Sequence, residues 1–287
     1  MRIDLHVHSA ISDGTDTIPH LIEAAEDAGL GAFALCDHDT FDGVEEAQRL
    51  GERVGIAVLN GVEISSHGDV GDDQRPVHVL GYGCHHDDLA LGAILARIRA
   101  GRSGRVEAII DKLADLGLPL TVEEVQAQAV RAASIGRPHI ADAMVARGYA
   151  ANRDEVFARW LYNGGPADVT RYTPTVPEVL DAIRAAHGVA VIAHPWSRGT
   201  DAVLTPDVIA TLAAEHGLAG VEADHLDHSE AQRAALKELA ARLGLLVTGS
   251  SDYHGSGKLN HPLGACLTAE PVYREILARI DDQGGHR

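Results

Sequence analysis

His6 and His8 are one residue apart in a run where Ile3, Leu5 and Val7 alternate with Asp4 and the two histidines. On a pleated strand that alternation sends both imidazoles from one face, about 7 Å apart, where they can share a metal. A half-buried edge strand that happens to carry two histidines has the same pattern, so the pair acquires meaning only from its company. Asp13 follows the run, His38 stands between Asp37 and Asp39, and Glu63 closes Gly61-Val62-Glu63. His78 sits in Val77-His78-Val79-Leu80-Gly81-Tyr82, His194 in Ala193-His194-Pro195, and Asp252 and His254 in Ser251-Asp252-Tyr253-His254-Gly255. Nine such groups gathered on one rim would repel one another and resist desolvation unless cations lay between them. They also exceed what a single tetrahedral or octahedral ion uses, which implies more than one ion.

Other residues could meet a substrate. Gly136-Arg137-Pro138-His139 opens a helix, so Arg137 and His139 lie beside a helix N-terminus, where anions are favoured. An ordinary helix start with a solvated arginine fits the spacing equally well. Trp196, Arg198 and His225 fall just beyond strand ends and could contact a base or a second phosphate, although loop packing is the commoner role there. Asp37 and Asp39 flank a candidate ligand and could orient it, or be solvated loop carboxylates. Cys36 reads as a buried strand residue rather than a nucleophile.

The elements that must position these groups follow from composition and patterning. The chain has 287 residues, 45% of them hydrophobic, which suits one large domain of α/β-barrel size with an insert. A formal net charge of −18 argues against a broad nucleic-acid-binding face or an anionic membrane surface, both of which need clustered Lys and Arg. Any phosphate must then be held locally. Cys36, Cys84 and Cys266 are far apart and form no Cys-x-x-Cys pair, as expected of reduced thiols. Asp4, His6, His8 and Asp13 interrupt any leader-like apolar segment, and no run approaches membrane-spanning length. A soluble, cytoplasmic protein is expected.

Short apolar runs alternate with helical periodicity, the mark of βα units and a parallel sheet. Besides the His6 run, strands are predicted at 31–37, 56–64, 77–82, 189–193, 220–222 and 245–248, with 68–76 as an exposed acidic loop. From about 88 to 187 the pattern is helical, at 91–100, 106–116, 122–132, 138–147 and 155–161, which predicts an inserted subdomain. In a closed parallel barrel, ligands bind at the carboxyl ends of the strands, and that rim would collect the nine groups.

Taken in order, His6-Val7-His8, Ser12-Asp13-Gly14, Asp37-His38-Asp39, Gly61-Val62-Glu63, the His78 run, Ala193-His194-Pro195 and Ser251 to Gly255 resemble the motifs of the PHP (polymerase and histidinol phosphatase) phosphoesterases. Gly136-Arg137-Pro138-His139-Ile140-Ala141 is similar to the nucleotide-phosphatase branch, whose members remove phosphate from 3′,5′-nucleoside bisphosphates or AMP. The resemblance implies an α/β fold, a distorted seven-stranded (β/α) barrel formed by 1–87 and 188–287, with a helical insert at 88–187 covering the active site. It implies two or three divalent ions, Mn, Fe or Zn. His6, His8, Glu63 and Asp252 would hold the first, Glu63, His78 and His194 the second with Glu63 as bridge, and Asp13, His38 and His254 a third. Asp13 stands where some histidinol-phosphate phosphatases of the family carry histidine.

The implied reaction is phosphomonoester hydrolysis by attack of a metal-bridging hydroxide on phosphorus. Arg137 would balance phosphoryl charge, and His254 or a metal-bound water would protonate the leaving group. Arg137, His139, Arg198 and His225 are the expected substrate contacts. The expected partner is a small nucleotide or other phosphomonoester, with short RNA ends as an alternative and no membrane or long duplex. Other readings are a histidinol-phosphate phosphatase, a short-RNA 5′-3′ exonuclease, and a non-catalytic metal-binding PHP module. The last would be expected to have lost ligands, and the set is complete.

Overall fold

The computed structural model describes residues 1–70, 73–129, 135–162, 164–169, 172–197 and 199–286. Seven strands pair in chain order: β1 Ile3–Val7, β2 Ala32–Leu35, β3 Ala57–Val70, β4 Asp73–Tyr82, β5 Val189–Ile192, β6 Gly220–Asp224 and β7 Leu246–Gly249. The sheet nearly closes on itself, because His8 N–H donates to Tyr253 O (2.9 Å) just beyond β7. Both faces of β1, β2 and β5 are covered, which is why β2 and β5 read as continuous apolar runs; β1 is buried although polar residues alternate along it.

Three expectations are overturned. A wholly parallel sheet was expected, yet β4 runs antiparallel to both β3 and β5. Parallel neighbours need a crossover of a dozen or more residues, and β3 and β4 are joined directly. The acidic segment 68–76, expected as a loop, supplies both arms of this hairpin: Gly68 pairs with Arg75 and Asp69 with Gln74, while residues 71–72 lie outside the described residues. Simple alternation along β1 also fails. Pairing with β2 slips between Asp4 and Val7, so Ile3 and Leu5 pack with Ala32, Ala34 and Cys36 whereas Val7 packs with Phe33 and Leu35. Such a bulge re-aims side chains; His6 and His8 nevertheless leave on one side, as expected, since both reach Glu63 Oε2.

Beyond α1 (Ile18–Asp27) and α2 (Val44–Val54), the helical region hangs on α3, Leu89–Asp115. This is one helix, not the two expected; Gly101 and Gly104 do not break it. Each glycine costs about 1 kcal/mol relative to alanine, and burial at both ends of the helix offsets that. Leu91, Leu95 and Ile98 enter the core around α7 (Val176–Ala185), a helix that periodicity did not single out. Val106, Ile109, Ile110 and Leu113 enter a separate core with α4 (Val122–Gln128), α5 (Arg137–Ala146), α6 (Arg153–Val156) and the π turn Phe157–Leu161. Part of the helix expected at 122–132 lies outside the described residues.

Gly61 shows how closely the strands that carry the rim are packed. A Cβ there would lie 2.7 Å from Cys36 Sγ and 2.8 Å from Leu35 O, so Gly61→Ala must part β2 from β3. We expect a loss of about 1–3 kcal/mol in urea unfolding. An unchanged midpoint would show that the strands separate without cost.

Candidate metal centre

Glu63, on β3, is the meeting point of five imidazoles. Its Oε2 lies 3.2 Å from each of His6 Nε2, His8 Nε2 and His38 Nδ1, and its Oε1 lies 2.8 Å from His78 Nδ1 and 3.2 Å from His194 Nε2. Asp252 Oδ1 joins the first set, 3.7 Å from His6 Nε2 and 3.4 Å from His8 Nε2, and those two nitrogens are 2.9 Å apart. Donors around one ion at about 2.0–2.2 Å sit roughly 2.8–3.6 Å from one another, so nearly all of these spacings suit a shared ion. A third group converges on Asp13: His254 Nε2 is 3.3 Å from Oδ1, and His38 Nε2 is 3.7 Å from Oδ2. The structure thus brings all nine expected donors to one rim, and the donor set fits divalent metal.

Carboxylates behind the donors hold them in place. Glu222, which the sequence reading did not single out, lies 3.1 Å from His6 Nδ1 and accepts from Ser250 Oγ–H and His194 N–H (2.8 Å). It is the partner that fixes His6 with Nε2 free for an ion. His225 is fully buried and does not line the cleft. Its Nδ1 accepts from Asp227 N–H (3.1 Å), which puts its proton on Nε2, 3.4 Å from Asp252 Oδ2. That places it behind a donor instead of against a substrate. Asp37 accepts from Ser9 and Ser12, and Asp39 from Ser65, so both brace the rim loops. Asp39, His194, Trp196 and Asp252 have positive φ without being glycine, strain that accumulates where a site over-determines its backbone. Trp196 donates to Leu204 O (2.6 Å) and, partly buried, packs against the core; Arg198 lies outside the described residues.

Burial alone would raise the carboxyls, yet Glu63 is held well below its ordinary value by His38, His78 and His6, and Asp252 by Lys258, His6 and His254. The imidazoles respond unequally. Burial opposes protonation of His8, but Asp252 and Glu63 overcome it and push the pKa up to about 9; burial prevails at His194, which falls to about 4. Without ions, a proton shared between His6 and His8 helps to balance the carboxylates, and an arriving cation must displace it.

A pKa raised on folding stabilises the fold fully below the unfolded value, and that contribution is lost as pH rises through about 9 for His8. Metal affinity runs the opposite way and increases with pH over that range. Calorimetric titration of chelator-stripped protein with Zn²⁺ or Mn²⁺, in buffers of different ionisation heat, should show proton release near pH 7; pH-independent affinity without release would contradict this. Glu222→Gln should weaken metal binding by about 10–100-fold, and unchanged affinity in the same titration would remove Glu222 from the site.

The rim opens into a cleft of about 1600 Å³ lined by Glu63, His78, His194, Asp252 and His254 together with His139, Asp142 and Arg153 from the helical region and Lys258 after β7. His139 accepts from Gly136 N–H at Nδ1 (3.0 Å). Arg137 lines a neighbouring cavity of about 500 Å³ that shares His78 and His194. Its guanidinium donates to Leu161 O (2.8 Å) and lies 3.7 Å from Asp168. Arg153 and Lys258 went unnoticed in the sequence because neither sits in a motif.

A family model described as "PHP domain" matches residues 4–121. The chain is 35% identical over 263 residues to phosphoribosyl 1,2-cyclic phosphate 1,2-diphosphodiesterase of Eggerthella lenta, covering 90% of this chain and 96% of the relative. It is 32% identical to a 5′-3′ exoribonuclease of Haemophilus influenzae (88% and 90% covered) and 32% identical to 3′,5′-nucleoside bisphosphate phosphatase of Chromobacterium violaceum (97% and 98% covered). The crystal structure of a presumed metal-dependent phosphoesterase from Bifidobacterium adolescentis superposes with a TM-score of 0.90 at 36% identity, covering 96% of each chain. No helix among the described residues is long and apolar enough to cross a membrane.

Proposed function

We propose that this chain, which belongs to the PHP family of phosphoesterases, removes a phosphate from a nucleotide such as 3′,5′-adenosine bisphosphate or AMP. Hydrolysis of phosphoester bonds comes with the family; the substrate is what the proposal adds. The observation that carries it is the placement of Glu63 between two sets of imidazoles, at the base of a cleft that His139 of the helical region also lines. Likeness over almost the full length to the C. violaceum bisphosphate phosphatase supports the choice of substrate. Two or three divalent ions, Mn, Fe or Zn, held by the nine donors, would supply an activated water at neutral pH and Lewis-acid polarisation of the phosphoryl group.

The chain's own residues have separable tasks. Glu63 and Asp252, kept ionised, would hold the cations. With Nδ1 as acceptor, His139 carries its proton on Nε2 and donates to a phosphoryl oxygen. Arg137 balances phosphoryl charge from the side of His78 and His194. His254 was expected as ligand or leaving-group acid; its Nδ1–H donates to Asp252 O (2.9 Å), which leaves a lone pair on Nε2 and favours the ligand role.

One observation favours a second reading. A cleft of about 1600 Å³ exceeds the roughly 300–1,000 Å³ of small-molecule sites, which suits a phosphodiester substrate or the 5′ end of a short RNA. Hydrolysis measured across AMP, 3′,5′-adenosine bisphosphate, histidinol phosphate and a short 5′-phosphorylated RNA separates them. We expect the nucleotides to have the highest kcat/KM, with activity abolished by chelation and restored by Mn²⁺; cleavage of RNA alone, or full activity in metal-free protein, would overturn the proposal. Arg137→Ala should lower kcat/KM on the nucleotide by roughly 10²–10³ with metal content intact. A change of less than a few-fold would leave the guanidinium a structural brace for Leu161 and Asp168.

A further inference from the structure

We infer that His85, His187 and His286 form a second metal site, for an imidazole-preferring divalent ion such as Zn²⁺ or Ni²⁺, on the floor of the barrel, the end away from the nine-donor rim. None of the three sits in the motifs that build the rim, and the inference does not depend on which substrate the rim takes.

The antiparallel β4 puts the cluster there. This strand leaves the rim at His78 and ends at Tyr82, which pairs with Val189 at the start of β5, so roughly 13 Å of strand separates the two ends. His85 follows β4, His187 precedes β5, and His286 follows the helix Glu270–Gln283. Backbone hydrogen bonds fasten the three segments together: His85 N–H donates to Ala186 O (2.8 Å) and His286 N–H to Gly83 O (2.9 Å). A Cβ on Gly285 would lie 2.6 Å from both Gly83 O and His187 O, so only glycine lets the segment after the helix lie across the other two.

The ring centres of His187 and His286 lie 5.0 and 4.0 Å from that of His85, and His86 stands 5.9 Å from His286. Two imidazoles on one tetrahedral ion, bonded at about 2.0–2.1 Å, have centres roughly 5 Å apart. The His85–His187 spacing is already that of a shared ion. The stacked His85–His286 pair must open by roughly 1 Å, and the exposed His286 has the rotamer freedom to do so. Gly284 O can only accept, so His85 Nε2, 2.6 Å away, carries the proton. That leaves Nδ1 with its lone pair, and an imidazole that gives its other N–H to a backbone carbonyl is held as metal ligands are held. His187 adds a strained backbone: its φ is 61° just after α7, where glycine is usual. An all-imidazole set suits Zn, Ni or Cu, and a net charge of −18 draws cations to the surface.

The rival explanation is that these rings only pack on one another. Chelator-stripped protein dialysed against micromolar Zn²⁺ and assayed by elemental analysis separates the two, because every rim donor is intact in the floor variants. Wild-type protein should hold one ion per chain more than His85→Ala, His187→Gly or His286→Ala, each of which should weaken the floor ion by about 10-fold or more. His187→Gly removes the imidazole and relieves the strained φ, so its loss of an ion cannot be laid to misfolding. Untagged wild-type protein should also leave a Ni²⁺ resin later than each variant, since the recessed rim cannot reach a resin-held ion. Equal ion counts in wild type and His187→Gly, co-elution from the resin, or an extra ion that binds only at millimolar Zn²⁺ would each overturn the site. Hydrolysis by the variants should match wild type; its loss together with the ion would place that ion in the catalytic centre and overturn the floor site as well. Failure of the nucleotide reading would leave the count at the floor unchanged.

Discussion

A carboxylate sealed from solvent between five imidazoles is the constraint on which the rest of the molecule depends. Glu63 is 1% exposed, and taking an ionised carboxylate out of water costs several kcal/mol unless charge and hydrogen bonds replace the solvent. Here the replacement comes from within β1 and β4 and from the residues after β2 and β5, which converge on its two oxygens. An arrangement of this kind is costly when empty of cations and favourable when filled, so the same residues tie folding to metal binding.

The barrel is shaped to serve that convergence. β1 brings His6 and His8 to Glu63, and His78, on the antiparallel β4, approaches it across from Ser65. Glu222 and Asp4 are buried carboxylates that contact no cleft; they tether His6, His194, Ser251 and Gly264. Burial pushes Asp4 up to about 6 against four hydrogen bonds that lower it. The helix α3 carries the same order outward, with one half in the barrel core and the other in the core that presents α5 and α6 to the cleft.

Much of this was legible in the sequence because donor type and strand end coincide: Asp-His-Asp after an apolar run, or His-Pro after another, has few structural explanations. The seven strands and most helices follow from periodicity. What was not legible depends on pairing. A bulge has no signature in β1, where Ile3, Leu5 and Val7 alternate as cleanly as in a flat strand, and the antiparallel β4 looks like any apolar run once its hairpin arms are polar. Glu222 was hidden inside a strand, and Arg153 and Lys258 acquire meaning only when the helical region meets the loop after β7. His225 misled for the opposite reason: its position after β6 suggests the cleft, but its ring turns inward to Asp252.

In the reading proposed here, Glu63 would hold two cations at once, one at each oxygen. Crystals grown with Mn²⁺ and measured at the manganese absorption edge test it directly. At least two anomalous peaks are predicted, one between Glu63 Oε2 and His6, His8 and Asp252, the other between Glu63 Oε1 and His78 and His194. A single peak, or several of which Glu63 touches only one, would contradict the account.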